Sequence, residues 1–254
     1  MNGATGALGL FTVIPVSGKQ QLTRPHARAA LRWFPAVGAA LGAAAALPAA
    51  AAVKWAPQAM PVGAVLAVAL LALLTRGLHL DGLADTLDGL GSRAPADRAL
   101  EIMRRSDVGP FGVLAIVFVV LLDVASLVSL DATVWRPVAA LAVAAATGRL
   151  AVLFAAHRRV PSARASGFGA FVAGSVSTTV LVVATAVVLG GGALLAWSVD
   201  ATVIGWPVAQ AVALMAAVGF RVHTTRRFGG VTGDVFGALV EIGTALTLAG
   251  LAVS

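Results

Sequence analysis

The chain has 254 residues, of which 59% are hydrophobic and 11% charged, with a formal net charge of +7 and a mean hydropathy of +0.93. A soluble domain wets its surface with roughly 25% charged residues, so this composition excludes a water-soluble globule and points to a helical protein embedded in a membrane. The absence of cysteine excludes disulfides, thiolate metal sites and a cysteine nucleophile, and the four scattered histidines, His26, His79, His157 and His223, argue against a multi-histidine zinc site.

In chain order, apolar runs predict spans over about 33–53, 59–75, 111–130, 137–156, 176–197, 203–220 and 235–253, seven in all with six to eight allowed. Residues 1–32 lack a basic stretch leading into a long apolar core, so no cleaved signal peptide is expected. Gly38 and Gly42, and Gly190 to Gly192, sit where helices could approach closely, but in so alanine-rich a chain they read as merely small residues. Sixteen of the eighteen Lys and Arg residues fall on one side of these spans, leaving only Lys54 and Arg136 on the other. That bias sets orientation. It places the N-terminus in the cytoplasm and, for seven spans, the C-terminus outside; it also accounts for the positive charge without a nucleic-acid partner. Trp33, Trp55, Trp135, Trp197 and Trp206 fall at span ends and read as an interfacial aromatic belt. The expected fold is all-α, one membrane-embedded domain over 1–254, with short cytoplasmic helices in 80–107.

Most of the chemical capacity lies in the polar segment 76–110. In His79-Leu-Asp81-Gly-Leu-Ala-Asp85-Thr-Leu-Asp88-Gly-Leu, the carboxylates are spaced i, i+4 and i+7, which puts all three on one helical face. Like charges so placed repel, and beside apolar spans each uncompensated carboxylate costs on the order of 3 kcal/mol. A hard divalent cation such as Mg²⁺ with oxygen ligands would offset them, as would Arg76 and Arg93; the plain alternative is a solvated acidic loop with Asp81 as a helix N-cap. Next come Pro95 and Asp97, suited to start a short helix, and then Arg104-Arg105-Ser106-Asp107 before a Gly-Pro turn. Guanidinium forks match phosphate oxygens, so these arginines are candidate diphosphate ligands. A basic loop follows Arg149 and runs from His157 through Arg164 to Gly169. Finally, Arg226-Arg227-Phe-Gly229-Gly230-Val-Thr232-Gly233-Asp234 places a glycine turn before a helix N-terminus, a setting that offers N–H groups to an anion. There Asp234 is either a fourth metal-facing carboxylate or a simple N-cap. His79 and His157 are candidate proton carriers, though a lone histidine is more often structural.

With those residues in view, the chain resembles the cobalamin synthase family, the adenosylcobinamide-GDP ribazoletransferases. The likeness runs from Phe11-Thr-Val-Ile-Pro15 and Trp33-Phe-Pro-Ala-Val-Gly38, through Arg76 to Gly91, Leu100-Glu-Ile-Met103 and Gly148-Arg149, to Gly229-Gly-Val-Thr-Gly-Asp234 and Phe236 to Glu241. The resemblance implies a Mg²⁺-dependent transferase of the bacterial inner membrane with its active site facing the cytoplasm. It would join adenosylcobinamide-GDP to the 5′ oxygen of α-ribazole, or to α-ribazole 5′-phosphate, releasing GMP and forming adenosylcobalamin or its phosphate. Carried over, Asp81, Asp85 and Asp88 form the acidic motif and, with Asp234, the metal set. Asp81, Asp85, Asp88 and His79 are the catalytic candidates. The substrate-binding candidates are Arg76, Arg93, Arg104, Arg105, Ser106, Arg149, Gly229, Gly230, Thr232 and Gly233. One departure stands out: where the family commonly reads Asp-Ser-Arg, this chain reads Arg105-Ser106-Asp107.

Two other readings compete. A CDP-alcohol-type lipid headgroup phosphotransferase also clusters aspartates at a membrane surface, but this chain lacks the Ala-Arg that follows the first Asp-Gly pair of that motif. A small-molecule transporter would hold ionisable groups at mid-membrane depth. The near absence of charge within the apolar runs speaks against it, unless Asp123 and Glu241 face each other inside the bundle. Homo-oligomerisation stays open.

Overall fold

A computed structural model describes residues 3–15, 23–105, 107–130 and 133–254. Twelve α-helices are formed by the described residues: α1 (Gly3–Phe11), α2 (Arg24–Ala45), α3 (Leu47–Trp55), α4 (Met60–Leu74), α5 (Leu78–Gly91), α6 (Ala96–Ile102), α7 (Pro110–Val128), α8 (Arg136–Ala155), α9 (Phe168–Val172), α10 (Thr178–Ser198), α11 (Gly205–Phe228) and α12 (Gly233–Ala252). Seven stretches are long and apolar enough to cross a membrane, α2 with α3 counting as one, so this is an all-α multi-pass membrane protein. All seven match the expected runs. Two are longer than hydropathy indicated: α2 begins at Arg24 and α11 continues to Phe228. Their backbone hydrogen bonds carry on into water, while hydropathy stops at Arg32 and Arg221. Pro48, in the first turn of α3, breaks the first span at Ala46 because it cannot donate to the preceding turn.

The bundle is organised around α8, which is buried on nearly every side and touched by α2, α10, α11 and α12. Its run from Ala139 to Ala146 makes this possible, since small side chains let neighbouring backbones come close. The same reasoning overturns the bland reading of Gly38 and Gly42. A Cβ at Gly38 would collide with the Arg149 side chain, and one at Gly42 with the Leu141 backbone. Between α8, α10 and α11, the Gln210 Nε2 donates to the Thr147 hydroxyl at 3.0 Å and to the Val188 carbonyl at 3.2 Å. By contrast α7 and α10 turn rows of large side chains outward, Phe111, Leu114, Phe118 and Leu121 on one and Val182, Val183, Val187 and Leu194 on the other. These are lipid-facing helices.

Trp33, Trp55, Trp135 and Trp197 are exposed at span ends as an aromatic belt requires, but Trp206 is not. It is fully buried with Ala209, Leu248 and Leu251, because the start of α11 packs beneath the end of α12. Nor are the spans as free of charge as the hydropathy suggested. Asp123 in α7 and Arg149 in α8 are buried, and Glu241 in α12 lies within electrostatic reach of both. Arg149 sits two turns before the end of its helix, with its guanidinium 5.8 Å from the Phe34 ring and donating to the Ala145 carbonyl at 3.1 Å. Glu241 lies within its electrostatic reach. At the end of the bundle where α2 begins and α8 ends, the shorter helices α1, α5, α6 and α9 gather over the spans.

Candidate active site

The site begins with a sharp reversal. After α4 the chain turns through Arg76 (φ 57°) and Gly77 (φ 65°), both left-handed, and α5 starts at Leu78. Gly77 therefore occupies the N-cap, and Asp81 lies in the first turn rather than capping it. The helix then crosses α12 with backbones in contact. A Cβ on Gly82 would stand 2.7 Å from the Asp234 carbonyl oxygen, and one on Gly237 would stand 3.0 Å from the His79 carbonyl oxygen. This glycine-on-glycine crossing brings the acidic face of α5 to the start of α12.

At that start the N-cap is Thr232, whose hydroxyl accepts from the Val235 N–H at 3.2 Å. Asp234 is thereby released from capping. Its carboxylate accepts from Arg164 at 3.3 Å and from the Thr232 hydroxyl at 3.2 Å. Arg164 is delivered by a short pairing of loops: the Ala163 N–H donates to the Val231 carbonyl at 3.0 Å and the Val231 N–H to the Pro161 carbonyl at 2.9 Å. A second donation from Arg164, to the Leu100 carbonyl at 3.0 Å, ties it to α6. Sequence reasoning placed Arg164 in a basic loop without assigning it to the site. Only a contact across 70 positions of chain makes it a partner of Asp234.

Asp85 lies half-buried, one turn beyond Asp81. Burial, reinforced by the negative charges of Asp234, Asp81 and Asp88, pushes its carboxyl up to about 7 against a partial opposing pull from Arg164. Asp88 has other employment. Its Oδ2 accepts from the Gly109 N–H at 2.6 Å and its Oδ1 from the Gly112 N–H at 2.9 Å, so it caps the N-terminus of α7 across 21 and 24 residues. The three carboxylates share a helical face as their spacing requires, but the third faces α7.

Asp81, Arg164, Thr232, Gly233 and Asp234 form one edge of a cavity of ≈ 340 Å³ enclosed by α1, α5 and α9 and the neighbouring turns of α2, α8 and α12. His79 forms part of its wall. That imidazole is buried, and neither ring nitrogen has a hydrogen-bond partner among the described residues. Burial, with Arg149 nearby, holds it well below its ordinary value, so it is neutral at pH 7. The lining is also aromatic, with Phe11, Phe34, Phe168 and Phe236 contributing to it.

Several expected ligands lie elsewhere. Arg76 and Arg93 flank α5 at exposed left-handed positions, and Arg104 and Arg105 are exposed after α6; none of the four lines the cavity. Ser106 lies outside the described residues. Arg149 is inside the bundle. Gly229 ends α11 in a left-handed conformation (φ 78°) and Gly230 packs against Pro161 to Ala163; neither reaches the cavity, whereas Thr232 and Gly233 do. His157 pairs with the Thr178 hydroxyl at 3.1 Å.

Among the described residues, no three carboxylate or imidazole groups converge closely enough to make a complete metal cage. A pair drawn from Asp81, Asp85 and Asp234 would nonetheless suit Mg²⁺ completed by substrate oxygens. That ion is commonly held by one or two carboxylates together with substrate phosphates rather than by an all-protein cage. Burial raises Asp85 and the neighbouring carboxylates add to it; a cation would relieve that added repulsion.

A multi-pass helical bundle with an acid-edged cavity at one end of its spans belongs to the class of membrane-embedded enzymes. Comparison with known proteins refines this. The model of the CobS family, "Cobalamin-5-phosphate synthase", matches residues 3–252, and the chain belongs to that family. A protein of Frankia casuarinae named adenosylcobinamide-GDP ribazoletransferase is 42% identical over 96% of this chain and 92% of its own. Proteins of the same name from Nocardioides sp. and Klebsiella pneumoniae are each 38% identical, over 95% and 96% of this chain and 94% and 97% of theirs. No solved structure matches the chain.

Proposed function

We propose that the chain joins adenosylcobinamide-GDP to α-ribazole or its 5′-phosphate with release of GMP, at the cytoplasmic face of a bacterial inner membrane and with Mg²⁺. The observation that carries this is the meeting of Asp81, Asp234 and Arg164 on the edge of one cavity at the α5–α12 crossing, with Asp85 within electrostatic reach of all three, in a chain of this family. Phosphoryl transfer needs charge neutralisation and positioning more than covalent help from protein groups. A pair drawn from Asp81, Asp85 and Asp234 would hold the ion together with substrate oxygens, and the ion would supply neutralisation of the diphosphate and of the leaving phosphate. Asp88 is left out of that set because both its oxygens cap α7. Arg164, already oriented by Asp234 and Leu100, is placed to turn guanidinium N–H groups toward phosphate oxygens.

In the reaction an acceptor hydroxyl oxygen bonds to the phosphorus that carries the cobinamide. The bond from that phosphorus to the anhydride oxygen breaks, and GMP departs with the oxygen. A family description that names a 5-phosphate product bears on the attacking atom. An acceptor whose 5′ oxygen already carries phosphate would attack through a secondary ribose hydroxyl instead of the 5′ oxygen. Neutral His79 is the proposed acceptor of the hydroxyl proton, a role that requires its ring, whose nitrogens are sealed and without a hydrogen-bond partner among the described residues, to turn toward the cavity.

Purified protein supplied with adenosylcobinamide-GDP and α-ribazole or its phosphate should form the nucleotide loop and GMP with Mg²⁺ and not with EDTA. Absence of product with Mg²⁺ would overturn the reading. Orientation has its own check. Because the natural chain has no cysteine, an Asp97→Cys variant, at an exposed position, should be labelled by an impermeant maleimide in inverted vesicles and not in intact spheroplasts. The reverse pattern would put the site outside.

A further inference from the structure

We infer that the aromatic wall of the cavity is the seat of the acceptor's base, and that the corrinoid donor stays outside, reaching in only with its diphosphate. This rests on the reading above and adds to it a division of the site between two substrates of unequal size. The cavity of ≈ 340 Å³ lies at the small end of ligand pockets, which run about 300–1,000 Å³. That suits a nucleoside-sized molecule and is small for a corrin macrocycle carrying a nucleoside diphosphate.

The walls are sorted in the way an acceptor of this kind demands. Phe11 and Phe34 lie with ring centroids 4.2 Å apart, Phe168 meets Phe11 edge-on at 5.4 Å, and Phe236 meets Phe168 edge-on at 6.3 Å. Phe11, Phe34 and Phe236 are largely buried and back the cavity, while Phe168 keeps part of its side chain exposed; a flat apolar ligand would supply the packing contacts that this ring forgoes. A two-ring aromatic base offers such a face, and stacking on aromatic side chains tolerates many bases because every base has a π-face. Asp81, Arg164 and Asp234 line the same cavity, and Phe168 packs next to Gly233 at that edge. An acceptor seated with its base among the phenylalanines presents its ribose to that edge, where the donor's diphosphate is held.

Phe168 is the most informative position, since it is only half-buried and sits on the short α9 rather than in a span. Phe168→Ala should raise the acceptor KM about ten-fold while leaving the donor KM within two-fold, and Phe168→Tyr should restore it. Equilibrium dialysis of the unaltered protein with labelled α-ribazole, without donor, should show binding that free benzimidazole displaces and ribose does not. If Phe168→Ala cannot be obtained folded, Phe236→Leu and the dialysis carry the same test. An unchanged acceptor KM with a raised donor KM, or displacement by ribose and not by benzimidazole, overturns the inference and leaves the transferase reading standing. Transfer failing altogether in the unaltered protein would instead defeat that reading.

Discussion

Asp85→Asn should lose transfer activity by more than about 100-fold and yet yield a more stable protein in metal-free buffer above pH 7. The loss follows from removing a proposed direct ligand, since even the partners that merely orient metal ligands are worth about 10–100-fold. The gain follows from charge. In the folded protein the Asp85 carboxyl is raised from its ordinary 3.8 to about 7 by burial and by Asp234, Asp81 and Asp88, so the folded state binds this proton more tightly than the unfolded state. Stability from this group is therefore full below pH 3.8 and is lost as pH climbs to about 7. Asparagine does not titrate, so the variant should flatten that part of the stability profile. Added Mg²⁺ should raise the melting temperature of the natural protein, because a ligand of the folded state stabilises it by mass action, and should leave the variant unmoved. Retained transfer in Asp85→Asn, with an Mg²⁺ requirement like that of the natural protein, would remove the metal from the α5–α12 crossing.

Asp88→Ala should fail in the opposite manner. Two backbone N–H groups at the start of α7 lose a charged acceptor, and hydrogen bonds to charged groups are worth about 1.5–3 kcal/mol each. A loss of about 3 kcal/mol is expected, read as a lower unfolding midpoint in detergent. Residual activity in the folded fraction should show an unchanged Mg²⁺ half-saturation, because Asp88 holds Gly109 and Gly112 rather than the ion. Asp88→Asn keeps one carbonyl oxygen for one of the two donors and should fall between. A stable Asp88→Ala protein that needs far more Mg²⁺ would return Asp88 to the metal set. Taken together, the two substitutions separate carboxylates that the sequence presents as equivalent.

The helical membrane class, the seven spans and the acidic segment could be read from the chain alone, because they depend on local quantities. Twenty apolar residues in a row must bury their backbone hydrogen bonds in a helix wherever they meet lipid, and aspartates at 81, 85 and 88 share a face by helical geometry. Small residues at Gly38 and Gly42 were just as visible in the sequence, but their use depends on what packs against them, here Arg149 and Leu141. Trp206 shows the same limit: a tryptophan at a span end looks interfacial until a neighbouring helix covers it.

What the tertiary structure alone decided is which charges meet. Asp81, Asp85 and Asp88 were indistinguishable as letters, and packing against α12 on one side and α7 on the other gave them different work. Arg164 joined Asp234 across 70 residues, while Arg149 went inward to face Glu241 and Arg104 and Arg105 stayed at the surface. Residue type and spacing prescribe the helix and its face. The partner of a charge is chosen by how helices cross, and that is a property of the packed bundle in which no single segment carries the information.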